Sequence, residues 1–210
     1  MSHKNANDLP EGFVYLKEVI PNINIDMRYY GINNFLGVRV DGYEKPVCII
    51  SKPAAYALKN AQEELNLFNL ALKVFDCYRP QRAVDHFARW AEEHDDIKAK
   101  ADYYPDLEKK DLIIQGYIAM KSSHSRGSTA DLTIIDLDTL EELDMGTQFD
   151  FFSPKSWLSD LTISSKQRTN RMLLQQVMTK YGFKPFNQEW WHFTLKDEPY
   201  PNDYFDFPVK

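Results

Sequence analysis

The spacing of apolar and polar positions changes several times along this chain, and each change predicts an element. "FVYLKEV" (13–19), "NIDMRYY" (24–30) and "PVCII" (46–50) are short, β-branched or aromatic, and bounded by Pro, Asn and Gly, so they predict strands. From residue 51 the period becomes helical. In "SKPAAYALKNAQEELNLFN" the apolar positions Ala55, Leu58, Ala61 and Leu65 follow Ser51 as N-cap and a proline in the first turn. "LALKVFDCYRP" (70–80) returns to a strand, and "PQRAVDHFARWAEEH" starts a helix with Pro80 in its first turn.

Residues 95–116 are charged and broken by "YYPD", which predicts loop with partial helix. "GYIAM" (116–120) and "ADLTIID" (130–136) predict strands on either side of a glycine-containing turn. "SSKQRTNRMLLQQVMTKYGF" predicts a helix with Leu173, Val177 and Tyr181 on one face and Gly182 as its stop. "EWWHFTL" (189–195) predicts a last strand ahead of an irregular aromatic tail. No stretch reads as a linker. The expectation is one α+β domain over residues 1–210, a mainly antiparallel central sheet flanked by helices.

Composition narrows the function classes. Of 210 residues 43% are hydrophobic and 27% charged, the balance of an ordinary globular domain, and the net charge of −6 with scattered Lys and Arg argues against a nucleic-acid partner. No apolar run approaches the ~20 residues of a spanning helix, so no membrane partner is expected. The N-terminus has no apolar export segment, which predicts the cytoplasm, with the periplasm as the alternative if a signal has been removed. Cys48 and Cys77 lack zinc-knuckle spacing and are expected to be two buried, reduced thiols, with a disulfide as the alternative. Oligomeric state is not readable from periodicity.

Two stretches carry chemistry. In "SSHSRGSTADLTIID" (122–136) His124 and Asp131 are seven apart. On one uninterrupted strand they would face opposite ways. Gly127 and Ser128 between them permit a turn that brings both to one point, with Asp131 fixed at the start of an apolar strand. In "NQEWWHFTL" (187–195) His192 lies in an apolar strand, where an ionisable side chain needs a partner, and Glu189 precedes it by three. Catalytic zinc is usually held by three N or O donors with one position left for water, and a neighbouring carboxylate can serve as general acid/base. Taken singly, each residue has a structural role to fall back on: a core histidine, a turn aspartate, a solvated glutamate. There is no HExxH, GxSxG or Gly-rich phosphate loop.

Together the stretches resemble S-x-H-x-x-G-x-A-x-D and E-x-x-H, the motifs of the zinc D-Ala-D-Ala peptidases of family M15. "DMRYYGINNFLG" (26–37), "FDCYRP" (75–80), "DMGTQFDFF" (144–152) and "YFDFPV" (204–209) resemble its VanX-type D-alanyl-D-alanine dipeptidase branch. Thr129 departs from the pattern, which has a small alanine there. The resemblance implies an M15/Hedgehog-type zinc peptidase fold and one Zn2+ per chain on His124, Asp131 and His192, with Glu189 activating a water. It also implies that Arg79 steadies the scissile carbonyl as it becomes an oxyanion, and that the substrate is a small D,D-dipeptide. Ser122, Asp76 and Asp144 are candidates for holding substrate or ligands, with Asp144 preferred for the substrate ammonium. The alternatives are a D,D-carboxypeptidase or endopeptidase acting on longer peptidoglycan stems, and an inert zinc-binding module, against which the presence of Glu189 counts.

Overall fold

In the computed structural model, which describes residues 9–93 and 97–210, the first apolar stretch splits into two elements. β1 (Phe13–Tyr15) runs straight into a one-turn helix, α1 (Leu16–Val19), and β2 (Asn24–Ile25) takes only the start of the second stretch. β3 (Ile49–Ser51) pairs antiparallel with β1. α2 (Lys52–Asn66) buries Ala55, Leu58, Ala61 and Leu65 as their spacing predicts, and Ser51 is its N-cap residue. The Ser51 hydroxyl, however, is bonded to that of Ser128 at 2.7 Å rather than to a helix amide. β4 (Leu70–Asp76) and α3 (Gln81–Glu92) follow, the latter capped by Pro80.

The charged middle holds two short helices, α4 (Lys100–Tyr103) and α5 (Lys109–Ile114). "GYIAM" is not a strand. Gly116 turns the chain at φ +82° and the Ile118 amide donates back to the Leu112 carbonyl, so its apolar residues cover a cavity instead of pairing in a sheet. β5 (Thr129–Asp136) matches its prediction. α6 (Ser165–Lys180) carries a reciprocal cap between Ser164 and Gln167. Its buried face is Arg171, Leu174, Val177 and Met178, rotated from the predicted stripe by a residue. β6 (Phe183–Phe186) escaped prediction because Pro185 argues against a strand except at a sheet edge, which is where β6 lies. β7 (Glu189–Leu195) completes the sheet.

The five-stranded sheet has the order β2-β4-β5-β7-β6, and only the β2–β4 pair is parallel. This is the mainly antiparallel α+β arrangement expected, with helices packed on the sheet and one continuous apolar core. Among the described residues no helix is long and apolar enough to cross a membrane. His3 and His94 lie outside the described residues.

The two cysteines correct the expectation of free thiols, for they form a disulfide. Cys48 leads into β3 and Cys77 follows β4, and the Tyr78 amide donates to the Ile49 carbonyl at 2.9 Å. That contact brings the two Cα atoms to 5.5 Å, a separation a disulfide spans readily. Residues 29 apart in sequence carry no local sign of such a meeting.

Candidate active site

Strand register assembles the site. On the β4–β5 ladder a one-residue shift after Val74 sets Asp76 opposite Asp131, where unbroken pairing would have set it opposite Ala130. Such a bulge re-aims a side chain. On the β5–β7 ladder Asp131 faces His192 directly. Asp76, Asp131 and His192 therefore form a row across three neighbouring strands, all pointing to one side of the sheet. His124 reaches the same point from a 3-10 turn, Ser123–Arg126, which Gly127 ends in the left-handed conformation at φ +83°. A side chain at Gly127 would also collide with the ring of Phe13.

The donor atoms of His124, Asp131 and His192 all lie within 4.8 Å of one another. His124 Nε2 is 3.2 Å from Asp131 Oδ2, and His192 Nδ1 is 3.2 Å from Asp131 Oδ1. The remaining ring nitrogens are held elsewhere. His124 Nδ1 donates to the Cys77 carbonyl at 2.7 Å, and His192 Nε2 is 3.2 Å from the Ser123 hydroxyl. Each imidazole thus turns its free nitrogen inward, as ligating histidines do. His124 Nε2 and Asp131 Oδ1 are buried without a hydrogen-bond partner, a costly state for polar atoms unless something else satisfies them. Two imidazoles and a carboxylate are a donor set suited to zinc, so the residues fit the ion.

Glu189 Oε2 stands 3.4 Å from His192 Nδ1. The two are brought together by a register break between β6 and β7 at Phe186, so the chain bends at the entrance of β7 as their spacing requires. Burial pushes the Glu189 carboxyl up to about 7, with Asp131 adding to the shift and His192 opposing it. A carboxyl raised that far can exchange a proton near neutral pH. Asp131 moves the other way. Burial alone would raise it, but the imidazoles of His124 and His192 hold it well below the usual carboxylate range.

Arg79 Nε donates to Asp76 Oδ2 at 2.9 Å, and its Nη2 lies 3.4 Å from Asp131 Oδ2. The guanidinium also sits over the rings of Tyr29 and Phe87, 4.9 and 5.1 Å from their centroids. It makes the structural ion pair with Asp76 and still borders the cavity. Asp76, fully buried, also accepts from the Tyr43 hydroxyl at 2.7 Å, so it fixes Arg79 and does not line the cavity. Ser122 lines the cavity, and its Oγ accepts the His124 amide at 3.2 Å, which starts the 3-10 turn. Thr129 does not crowd its turn: its hydroxyl pairs with that of Thr194 across the β5–β7 ladder at 2.8 Å.

Asp144 is not brought to the site. Its carboxylate is exposed, accepting from the Gly146 amide and from Gln167 Nε2 at 2.9 Å each, and it borders a separate pocket beside Trp190. The acid of this loop that does line the main cavity is Asp150, six residues on, held with a left-handed φ of 60°. Tyr29 donates its hydroxyl to Asp150 Oδ2 at 2.8 Å. Burial, joined by the charge of Asp131, pushes the Asp150 carboxyl well above the ordinary range. Arg171 steadies the loop that carries Asp150, donating to the carbonyls of Met145, Lys155 and Trp157. Sequence patterning did not single out Ser123, Tyr29 or Asp150. A signal existed for Asp150: it is a carboxylate inside the apolar run "FDFF", where a charge needs a partner.

The cavity measures about 510 Å3, within the range of small-molecule sites. Two imidazoles and a carboxylate round one point, with a raised carboxyl beside them, are the equipment of a metal-dependent hydrolase. The family model described as Peptidase M15, D-ala-D-ala dipeptidase, matches residues 10–210, and the chain belongs to that family of enzymes. It is 43% identical to a D-alanyl-D-alanine dipeptidase of Enterococcus faecalis over 201 residues, covering 96% of this chain and 100% of that one. The corresponding dipeptidase of Enterococcus faecium is 42% identical, covering 95% and 98% of the two chains. That of Streptomyces coelicolor is 39% identical, covering 94% and 98%.

Proposed function

We propose that this enzyme hydrolyses D-alanyl-D-alanine and closely related D,D-dipeptides, with one zinc ion held by His124, Asp131 and His192. The observation that carries the reading is the convergence of those three donors within 4.8 Å, with Glu189 at their side. Zinc held there supplies Lewis acidity, polarising a carbonyl and lowering the pKa of a water. Glu189 takes the proton from the attacking water on its carboxylate and returns it to the departing amine. Arg79 aims its guanidinium at the oxygen of the scissile carbonyl, where negative charge develops, and Asp76 keeps it aimed. Ser123 and the Cys77 carbonyl hold the two imidazoles in their ligating orientations.

Asp150, a buried carboxyl oriented by Tyr29, supports selection of a free ammonium. Pushed upward by burial and by Asp131, it regains a favourable charge only when a cation stands beside it, and gains nothing from a neutral group. Asp150→Asn is expected to raise KM for the dipeptide by about tenfold to a hundredfold, the value of a hydrogen bond to a charged group. Asp144→Asn is expected to leave KM unchanged. Steady-state kinetics of the two variants checks this, and a KM raised by Asp144→Asn but unmoved by Asp150→Asn would return the role to Asp144. The Cys48–Cys77 disulfide supports an oxidising compartment over the cytoplasm, which thiol alkylation in intact cells would read directly.

The deciding experiment measures alanine release from D-Ala-D-Ala before and after chelation, together with elemental analysis. The expected result is one zinc per chain, loss of turnover on its removal and recovery with stoichiometric zinc. Full turnover by the metal-free protein would overturn the reading.

A further inference from the structure

The cavity is electrically lopsided. Tyr29 and Asp150 lie on the β4 side, where the preceding Arg28 amide donates to the Phe75 carbonyl. On the other side of His192 lies the β7–β6 edge. Alternate residues of a strand share a face, so Thr194 continues the face of His192, and Lys196 follows in the turn just past β7, its amide donating to the Gly182 carbonyl at 2.9 Å. Lys184 pairs with Thr194 across the ladder and points the same way, next but one to Phe186, whose ring lies 5.5 Å from that of His192. At about 3.3 Å per residue, this row reaches about 7 Å from His192 at Thr194, the partner of Lys184 across the ladder.

Both lysines line the cavity and are exposed, and neither side chain has a carboxylate or hydrogen-bond partner among the described residues. Other cations at the rim are engaged: Arg126 with Glu198 at 2.7 Å, and Lys121 over the ring of Tyr204. With the ammonium at Asp150 and the scissile carbonyl at the three donors, as the proposed function has it, the second residue is left for the side of His192 away from Asp150, where both lysines line the cavity. The cavity, about 510 Å3 in all, counts both lysines in its lining.

We propose that Lys184 and Lys196 form an anion subsite for the side chain of the leaving residue, so that dipeptides ending in an acidic D-residue are preferred substrates. This rests on the dipeptidase reading and names a substrate class within it. The test compares kcat/KM for D-Ala-D-Glu with that for D-Ala-D-Gln, which has the same shape without the charge, alongside D-Ala-D-Ala. The wild-type enzyme is expected to prefer Glu by about fivefold, as for partly exposed ion pairs, and the preference shrinks as salt is raised. Lys184→Ala with Lys196→Ala brings the ratio to about one, and Lys184→Glu reverses it. Because both substrates are read on one preparation, a folding defect leaves the ratio unmoved. Equal wild-type values for Glu and Gln, or a parallel fall of both in the variants (the sign of an α-carboxylate contact), overturn the proposal while leaving D-Ala-D-Ala hydrolysis intact. Failure to cleave any of the three would sink the dipeptidase reading itself.

Discussion

Glu189→Gln is expected to lower kcat for D-Ala-D-Ala by about 10²- to 10⁴-fold, the usual contribution of a positioned acid–base group. The substitution keeps the shape of the side chain and removes its basicity. KM should change little, because the three donors and Asp150 are untouched. Zinc content should also hold, since Glu189 stands beside the donor set and not within it. The two readouts separate causes: a loss of turnover with metal retained marks a lost base, whereas a loss with metal released marks a damaged site. A variant that keeps both its metal and more than a tenth of wild-type kcat would show that some other group moves the proton.

Arg79 gives the second large effect, but the obvious substitution is uninformative. Arg79→Ala removes the cation that compensates fully buried Asp76, and breaking such a pair costs about 3–5 kcal/mol of stability. Arg79→Lys keeps a positive charge beside Asp76 and is the better probe. A lysine cannot reproduce the planar fork that reaches Asp76 and the cavity together, nor the stacking over Tyr29 and Phe87. If Arg79 stabilises an oxyanion, kcat should fall by about 10²- to 10³-fold, the cost of losing one such donor. Thermal unfolding run in parallel shows whether the fold has held. An Arg79→Lys enzyme with wild-type kcat would reduce Arg79 to a structural partner of Asp76.

Arg79 is singled out only by the resemblance that "FDCYRP" carries, whereas Glu189 belongs to a group that stands out in the amino-acid sequence for a chemical reason. His124, Asp131, His192 and Glu189 are residue types with few uses inside apolar surroundings, and each sits in or beside a strand whose neighbours are apolar. The turn needed to join His124 to Asp131 is also signalled, by Gly127, because few other residues tolerate its left-handed backbone. Asp144 and Asp150 are not separable in the same way. They belong to one irregular loop with no period, and only the packing of that loop through Arg171 and Tyr29 selects which carboxylate turns inward.

The same distinction holds across the fold. Side-chain periodicity and residue chemistry, read within a few positions, are enough to specify the helices at 52–66, 81–92 and 165–180 and the longer strands. His124, Asp131, His192 and Glu189 stand out in apolar surroundings, but it is the family resemblance that joins them into one set. Packing between distant segments was needed for the one-residue shift that sets Asp76 against Asp131, the edge strand containing Pro185, the loop at 116–120 and the Cys48–Cys77 bond. Each of these depends on which remote stretches become neighbours. Pairing energy between strands is collected across the sheet rather than along the chain, so no local pattern records it.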